Sequence, residues 1–383
     1  MVLFALLAAV YFLGRARAPE SRRAPRLDTS PNRPSVHISE GAATPGALVE
    51  RVIPLPLPAG AFTAEDCLRD VEAWRFAGRD LDGVDAFLRW AGVSSQQVAR
   101  VRAVARCEAD GCTVVPDIEL LGSLSREARG AVYRELAKYS ENRLQMFPAY
   151  RPVELGAWGA IASVSPRVRA LLDAGTWIDG DHYAFSDLPW VCSAVSTDAE
   201  RVEALTTLRT RYGIDASVRV PDGDIEPLVR YWSTGSDPDE IRRTLLDARR
   251  RDGLAPVADL LPAMARARIN RYPRATDPEY DCFWSAMNFF EGPTPSSQPV
   301  VPQSVAPLLR DAYVEVPAES ARLGDVVAFR AVDGRVAHAC NFIARELHFS
   351  KNGRTHRRPW SIVTEADLAR EYPHTTRHVY RLR

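Results

Sequence analysis

The stretch Asp277-Pro-Glu-Tyr-Asp-Cys-Phe-Trp-Ser-Ala-Met-Asn-Phe-Phe290 places one cysteine, Cys282, in the first turn of a helix predicted over Tyr280–Phe290. Pro278 restricts the backbone just before that helix. A thiol at a helix start lies near unpaired backbone N–H groups and the positive end of the helix dipole, which stabilise thiolate over thiol. The position therefore favours a nucleophilic cysteine.

Two strand-like runs follow this helix, Gly324–Arg330 and Arg335–Ile343, and they flank Asp333-Gly334. That dipeptide is typical of a hairpin turn. The two-residue period of a strand puts four residues of the second run on one face, namely Val336, His338, Cys340 and Phe342. Because a polar group on an apolar sheet face requires a partner, we expect the His338 side chain to have a polar partner nearby.

The third predicted strand, Leu347–Lys351, is ended by Asn352-Gly353. A three-residue hairpin loop at 344–346 sets Asn352 opposite His338 and Ser350 diagonally beside it. An asparagine there could accept the imidazole N–H and fix its tautomer, as the third member of a catalytic triad does. A shift of the register by one residue leaves Ser350 and Lys351 as alternatives.

A cysteine at a helix start, a Gly-Asp-Val-Val-Ala-Phe strand and a histidine in the next strand resemble the NlpC-type peptidases of the papain-like superfamily. The resemblance covers about residues 280–372. It implies a helix packed on an antiparallel sheet, and cleavage of peptide or amide bonds, usually in bacterial cell-wall stem peptides. It also implies Cys282 as nucleophile, His338 as base and Asn352, or Ser350, as the orienting residue.

Several further residues have two interpretations. Phe283 and Trp284 either belong to the hydrophobic core or form a wall of the substrate site. A cluster of basic residues just beyond the third strand is either a solvated loop or a binding site for an acidic group, such as a stem-peptide carboxylate. The candidate substrate-binding residues are Trp284, Ser350 and Lys351. We interpret the remaining histidines of the last region as surface or strand-end groups and Cys340 as packing. The basic cluster is Arg354, His356, Arg357 and Arg358, and these histidines are His348, His356, His374 and His378.

The fold class predicted is α+β, with four segments. Residues 1–14 contain an apolar run that fits a signal or a short membrane anchor. Residues 15–60 read as a disordered tether rich in Pro and Arg. Residues 61–270 show helical periods, with a helix start at Thr63 and a small hairpin at Asp179-Gly180, and predict an α-rich domain of unknown function. Residues 271–383 form the papain-like domain.

The amino-acid composition limits which partners and cofactors we expect. Lys+Arg and Asp+Glu number 49 each, which gives no electrostatic reason to expect nucleic acid. Six cysteines are too few for a disulfide scaffold, although Cys107 and Cys112 could bridge across the turn between them. Further Cys or His ligands at zinc spacing are absent from the sequence near that pair, so neither a metal nor a cofactor is predicted.

The sequence thus predicts a thiol hydrolase that acts on a peptide or peptidoglycan-like substrate. The alternative is a catalytically silent papain-like module that binds a peptide or an envelope partner. The apolar N-terminal run predicts a membrane-anchored or exported bacterial envelope protein, and the arginines after that run leave the side of the membrane open. The oligomeric state stays open as well.

Overall fold

A computed structural model describes residues 37–39, 46–67, 71–161, 163–293, 300 and 302–383. These residues form an α+β fold with four sheets, in which all strand pairs are antiparallel. The predicted N-terminal segment at 1–14 lies outside the described residues. No helix among the described residues has the length and apolar character to cross a membrane.

The strands are short and alternate with short helices along the chain. The strands are β1 His37–Ser39, β2 Leu48–Leu55, β3 Trp74–Ala77, β4 Arg106–Glu108, β5 Gly111–Val114, β6 Ala149–Pro152, β7 Trp177–Asp179, β8 His182–Phe185, β9 Arg211–Arg219, β10 Leu254–Pro256, β11 Tyr313–Val316, β12 Val326–Ala331, β13 Val336–Ala344, β14 Leu347–Lys351, β15 Trp360–Thr364 and β16 Thr375–Leu382. The helices are α1 Leu81–Trp90, α2 Ser95–Val104, α3 Ile118–Ser123, α4 Arg126–Leu136, α5 Arg143–Met146, α6 Pro166–Gly175, α7 Leu188–Ala194, α8 Asp198–Arg209, α9 Glu226–Trp232, α10 Pro238–Arg251, α11 Val257–Leu260, α12 Ala263–Arg268, α13 Cys282–Met287, α14 Pro302–Ala312 and α15 Glu365–Glu371.

The four sheets divide between three regions. The first region, which we call the disulfide-bonded region, runs from Cys67 to Leu208 and contains the sheets β3-β5-β4 and β6-β8-β7 around one apolar core. The second is the four-stranded sheet β1-β2-β9-β10, covered by α9 to α12. The third is the six-stranded sheet β11-β16-β12-β13-β14-β15. The core of the four-stranded sheet continues into this third region through Trp284, Phe349 and Trp360.

Both disulfides lie in the disulfide-bonded region. Cys107 and Cys112 face each other across β4 and β5 and are bonded, which resolves the alternatives that the sequence left for this pair. A second disulfide joins Cys67 to Cys192, 125 residues apart, and no pattern in the sequence predicts this pair. Cys282 and Cys340 are free thiols, and both are buried.

Two predictions for the first hundred residues are wrong. Part of the tether predicted over 15–60 is strand β2, which pairs along its whole length with β9. Pro54 is tolerated because β1 pairs with Leu48–Glu50 only, and among the described residues no strand accompanies that edge of β2 as far as Pro54, where an N–H would be needed. The helix predicted from Thr63 is a single 3₁₀ turn, and Trp74 and Phe76 lie in strand β3, where alternation buries them.

Other local predictions for the middle region are confirmed. Ser125 with Ala128 predicts the start of a helix that runs through Tyr139; the Ser125 side chain accepts the N–H of Ala128 and starts α4, as predicted. The Asp179-Gly180 turn joins β7 to β8. A single helix predicted over 257–268 is divided into α11 and α12, because Pro262 lies between them and cannot continue a helix.

The hairpin of β13 and β14 has the predicted register in its middle but not the predicted loop, because Ala344 pairs with Leu347 and an irregularity lies between Phe342 and Ala344. Asn341 pairs with Phe349 and Phe342 with His348, which is the predicted register. A bulge between β12 and β13 shifts the pairing before His338, so Val336 packs in a different cluster from Cys340 and Phe342, and the face predicted for Val336 is wrong.

The connection before that sheet differs from the prediction in two respects. The cysteine-bearing helix α13 ends at Met287, three residues earlier than expected. Part of the loop predicted over 292–307 is helix α14, which contains Pro307 in its interior. Both elements pack in one apolar cluster with β12 and β13, so tertiary burial outweighs the local signal of proline.

Candidate active site

Helix α13 brings Cys282 onto the middle of the six-stranded sheet. The Asp281 side chain caps the helix by accepting the N–H of Trp284 at 2.8 Å, so Cys282 is its first residue. The Asn341 side-chain amide of β13 donates to the Ala286 carbonyl at 3.0 Å and ties the helix to the strand. The thiol is therefore fixed against β13 and is only 7 % exposed.

The electrostatics of the thiol differ from the sequence-based expectation. Burial raises the pKa of Cys282 to about 12, although the backbone N–H groups of Ala339 and Phe283 point at the sulfur and lower it. The helix-start effect that we expected to stabilise the thiolate is thus present but is outweighed by desolvation. In the resting protein Cys282 is a neutral thiol.

His338 lies in β13, one residue before Ala339, and is fully buried. Its ring stacks on Tyr372 with centroids 4.3 Å apart, and Phe329 of the neighbouring strand lies at 5.9 Å. Burial, with a smaller contribution from nearby His348, lowers the pKa of His338 to about 3. The imidazole is therefore neutral at physiological pH.

A chain of hydrogen bonds starts at the Nε2 atom of His338. Nε2 lies 3.0 Å from the hydroxyl of Ser350. That hydroxyl donates to Oδ1 of Asn352 at 2.5 Å, and Nδ2 of Asn352 donates to the Glu371 carboxylate at 2.6 Å. Ser350 and Asn352, which the sequence left as alternatives for one role, thus act in series.

The direction of this chain fixes the tautomer of His338. Ionised Glu371 can only accept, so the Asn352 amide must present its nitrogen to Glu371 and its oxygen to Ser350. The single hydroxyl proton of Ser350 then goes to Asn352, and its oxygen must accept the N–H of His338 at Nε2. Nδ1 is consequently the unprotonated nitrogen, and it has no hydrogen-bond partner in the described part of the chain.

Cys282 and His338 reach β13 from different sides. Cys282 packs in a cluster with Ala328 and Ala339, whereas His338 shares its sheet face with Phe329 and Cys340. The backbone N–H of Ala339 in β13 is directed at the sulfur of Cys282. The thiol therefore lies beside Ala339, the residue that follows His338 in the strand. No hydrogen bond joins the side chains of Cys282 and His338 within the described residues.

The other two candidate substrate-binding residues lie in the interior. Trp284 is fully buried and stacks with Tyr280, with centroids 3.9 Å apart, and the guanidinium of Arg268 lies over its ring. Lys351 is also fully buried, and its ammonium donates to the carbonyls of Gly353 and Thr355 at 2.7 and 3.2 Å. Both side chains support the fold around α13.

One histidine assignment is wrong, because His348 is fully buried rather than at the surface. Its Nδ1 lies 2.9 Å from the Glu346 carbonyl, and burial lowers its pKa to about 3. Cys340 is buried as expected, and its thiol faces the Val327 carbonyl at 3.7 Å.

Two members of the site, Glu371 and Tyr372, were not predicted. Glu371 is the last residue of α15 and Tyr372 follows it, nineteen and twenty positions beyond Asn352, and no short-range pattern connects them to the hairpins. A cluster of His, Cys, Asp or Glu that could hold a metal ion does not occur among the residues described.

A scan against protein-family models and searches among curated proteins and solved structures find no match to this chain. The resemblance to NlpC-type peptidases therefore stays a prediction from the residues.

Proposed function

We propose that the protein is a papain-like thiol hydrolase that cleaves a peptide or amide bond with Cys282 as nucleophile and His338 as general base. The observation that carries the proposal is the directed chain from His338 through Ser350 and Asn352 to Glu371. It holds the imidazole in the tautomer whose free nitrogen, Nδ1, can take a proton.

The neutral resting state suits a base-assisted attack. The attack requires a rearrangement that brings the Cys282 thiol, which lies on the other side of β13, within hydrogen-bond reach of His338. Nδ1 of His338 would then accept the thiol proton as the sulfur attacks the carbonyl, so no preformed thiolate is required. The imidazolium formed would keep its Nε2–H bond to Ser350. It would then give its proton to the leaving amine, and water would hydrolyse the thioester with His338 again acting as base. The N–H groups near the sulfur, those of Ala339 and Phe283, would be available to the oxyanion.

Two further parts of the prediction belong to this proposal. A bacterial cell-wall stem peptide is the substrate class that the resemblance implies. The two disulfides support an oxidising compartment, since such bonds persist mainly in exported proteins. Export agrees with the apolar N-terminal run in the sequence, and we propose an envelope location on both grounds.

A second function, a catalytically silent module that binds a peptide or an envelope partner, is favoured by one observation. Cys282 is 7 % exposed and His338 is fully buried, so a substrate carbonyl would reach the sulfur only after the structure opens.

The reactivity of the thiol separates the two functions. Iodoacetamide-alkyne labelling of Cys282 in the full chain is expected to fall at least tenfold in His338→Ala, because the base is removed. The matched control is His348→Gln, which alters the other buried histidine of the same sheet face and should leave labelling within twofold. Equal labelling of the wild-type chain and His338→Ala would exclude the hydrolase and favour the silent module.

A further inference from the structure

A cavity of about 560 Å³ lies where the three regions of the fold meet. Its walls come from the start of β9, from the loop between β14 and β15 and from the end of α15, with Tyr150 and His182 closing it from the disulfide-bonded region. The volume lies within the usual range for small-molecule sites, which also occur preferentially between packed units.

The charge on the cavity wall is unbalanced. Five arginines line it against two carboxylates, Asp367 and Glu371. Three of the arginines have carboxylate partners, because Arg358 pairs with Glu371, Arg370 with Asp367 and Arg354 with Asp281. The remaining two are Arg209 and Arg211.

Neither Arg209 nor Arg211 forms an ion pair or a side-chain hydrogen bond with any residue that the structure describes. Both are partly withdrawn from solvent, and the pKa of Arg211 is lowered to about 10 by burial and by the nearby charge of Arg358, which outweigh the opposite effect of Glu371, the ion-pair partner of Arg358. Burial and Arg358 also lower the pKa of Arg209. Two unpaired guanidinium groups held close to a third are unfavourable unless an anion joins them.

Apolar and aromatic side chains form a large part of the remaining wall. Val52, Leu208 and Ile214 contribute aliphatic surface, and Tyr150 and Tyr212 contribute rings. Inorganic phosphate would leave this surface unfilled, whereas a planar carboxylate on an apolar body would use both the guanidinium forks and the apolar wall.

The cavity also adjoins the candidate active site. Asn352 and Glu371 of the hydrogen-bond chain line it, and so does Tyr372, which stacks on His338. Arg354 on its wall lies 3.5 Å from Asp281, which caps the helix that starts at Cys282.

We propose that this cavity binds an organic acid, with the carboxylate held by Arg209 and Arg211 and an apolar body against the aliphatic wall. Its use as the subsite for an acidic group of the substrate rests on the proposed function, whereas the binding itself does not.

Calorimetric titration of the full chain carrying Cys282→Ala tests the binding without the chemistry. The probes are N-acetyl-leucyl-phenylalanine, the same dipeptide with a C-terminal amide, and inorganic phosphate. The acid should bind at least tenfold more tightly than the amide. Arg211→Gln and Arg209→Gln should each remove most of that preference, and Arg243→Gln, on the exposed face of α10, should retain it.

A second measurement guards against misfolding of the variants. Because Arg211 is an unpaired charge, Arg211→Gln should unfold at the same or a higher temperature than the parent, and Arg211→Lys should bind the acid with intermediate affinity. Equal affinity for acid and amide, binding of phosphate alone, or an acid preference that survives in a folded Arg211→Gln would overturn the proposal. Binding of the acid with no dependence of Cys282 labelling on His338 would uphold this site and reject the hydrolase.

Discussion

The cysteines of the disulfide-bonded region and those of the six-stranded sheet differ in oxidation state. In the first region all four cysteines are oxidised, and one bond closes a loop of 125 residues. In the sheet Cys282 and Cys340 stay reduced, although both are close to β13. Their thiols belong to clusters on opposite faces of the sheet, so they cannot meet. Buried cysteines occur in both regions, so the comparison indicates that their separation by the sheet, rather than burial, leaves Cys282 and Cys340 as free thiols.

The largest expected effect comes from removing the disulfides of the disulfide-bonded region. Cys67→Ala combined with Cys192→Ala should lower the free energy of unfolding by about 5 kcal/mol, because the loop closed by this bond is long. Denaturant titration measures the loss. The matched control, Cys107→Ala with Cys112→Ala, opens a short loop and should cost about 2 kcal/mol. A larger loss in the control than in the long-loop variant would contradict this account of the region.

The second prediction concerns the reduced thiols. Since burial raises the pKa of Cys282 to about 12, its alkylation by iodoacetamide at pH 8 should be on the order of a thousandfold slower in the folded chain than in urea. Mass spectrometry after timed quenching gives the rates, with Cys340→Ala as the variant that isolates Cys282. Equal rates in the folded and unfolded chain would show that Cys282 is not protected.

The third prediction uses the two buried histidines of the sheet. His338 and His348 have pKa values of about 3 in the folded chain, so between that value and the ordinary one near 6.5 the unfolded chain binds more protons. Stability is therefore complete above about pH 6.5 and falls as the pH drops toward 3, by up to about 1.4 kcal/mol per pH unit for each histidine.

Denaturant titration at pH 4 to 7 checks this dependence on pH. His348→Gln should remove about half of the pH dependence that the two buried histidines contribute. The control variant His356→Gln, which changes an exposed residue, should leave the slope as it is. An unchanged slope in His348→Gln would show that this histidine is not buried in its neutral form.

The fourth and smallest effect concerns the hydrogen-bond chain. Asn352→Leu removes the acceptor of the Ser350 hydroxyl and should cost about 1 to 2 kcal/mol of stability. It should also slow alkylation of Cys282 severalfold, because His338 is then free to change tautomer. A loss of stability with no change in alkylation would restrict Asn352 to a structural role.

The two regions also differ in how far the sequence predicts them. The two hairpins around His338 follow from strand-like runs and strong turn residues, which were enough to name its neighbours Ser350 and Asn352. The irregularities before His338 and after Phe342 leave no such signal in the sequence. In the disulfide-bonded region Trp74 and Phe76 fit either a helix or a strand over a short run. These two residues form a strand because they pair with β5, and this pairing depends on the tertiary structure.

The parts of the site that the sequence missed are non-local for the same reason. Glu371 completes the chain from His338 only because α15 folds back over the sheet. The raised pKa of Cys282 results from burial under side chains from several elements, whereas the sequence shows only the helix start that opposes it. Arg209 and Arg211 look like ordinary helix-end and strand-start residues until the cavity is seen.

The protonation state of His338 tests the central claim most directly. Nitrogen-15 NMR of histidine-labelled protein at pH 7, with His338→Gln to assign the signal, reports which ring nitrogen carries the proton. The hydrogen-bond chain predicts a neutral ring with the proton on Nε2 and none on Nδ1, and a mixture of tautomers in Ser350→Ala. A proton on Nδ1 in the wild-type chain would remove the base that the proposed attack of Cys282 requires.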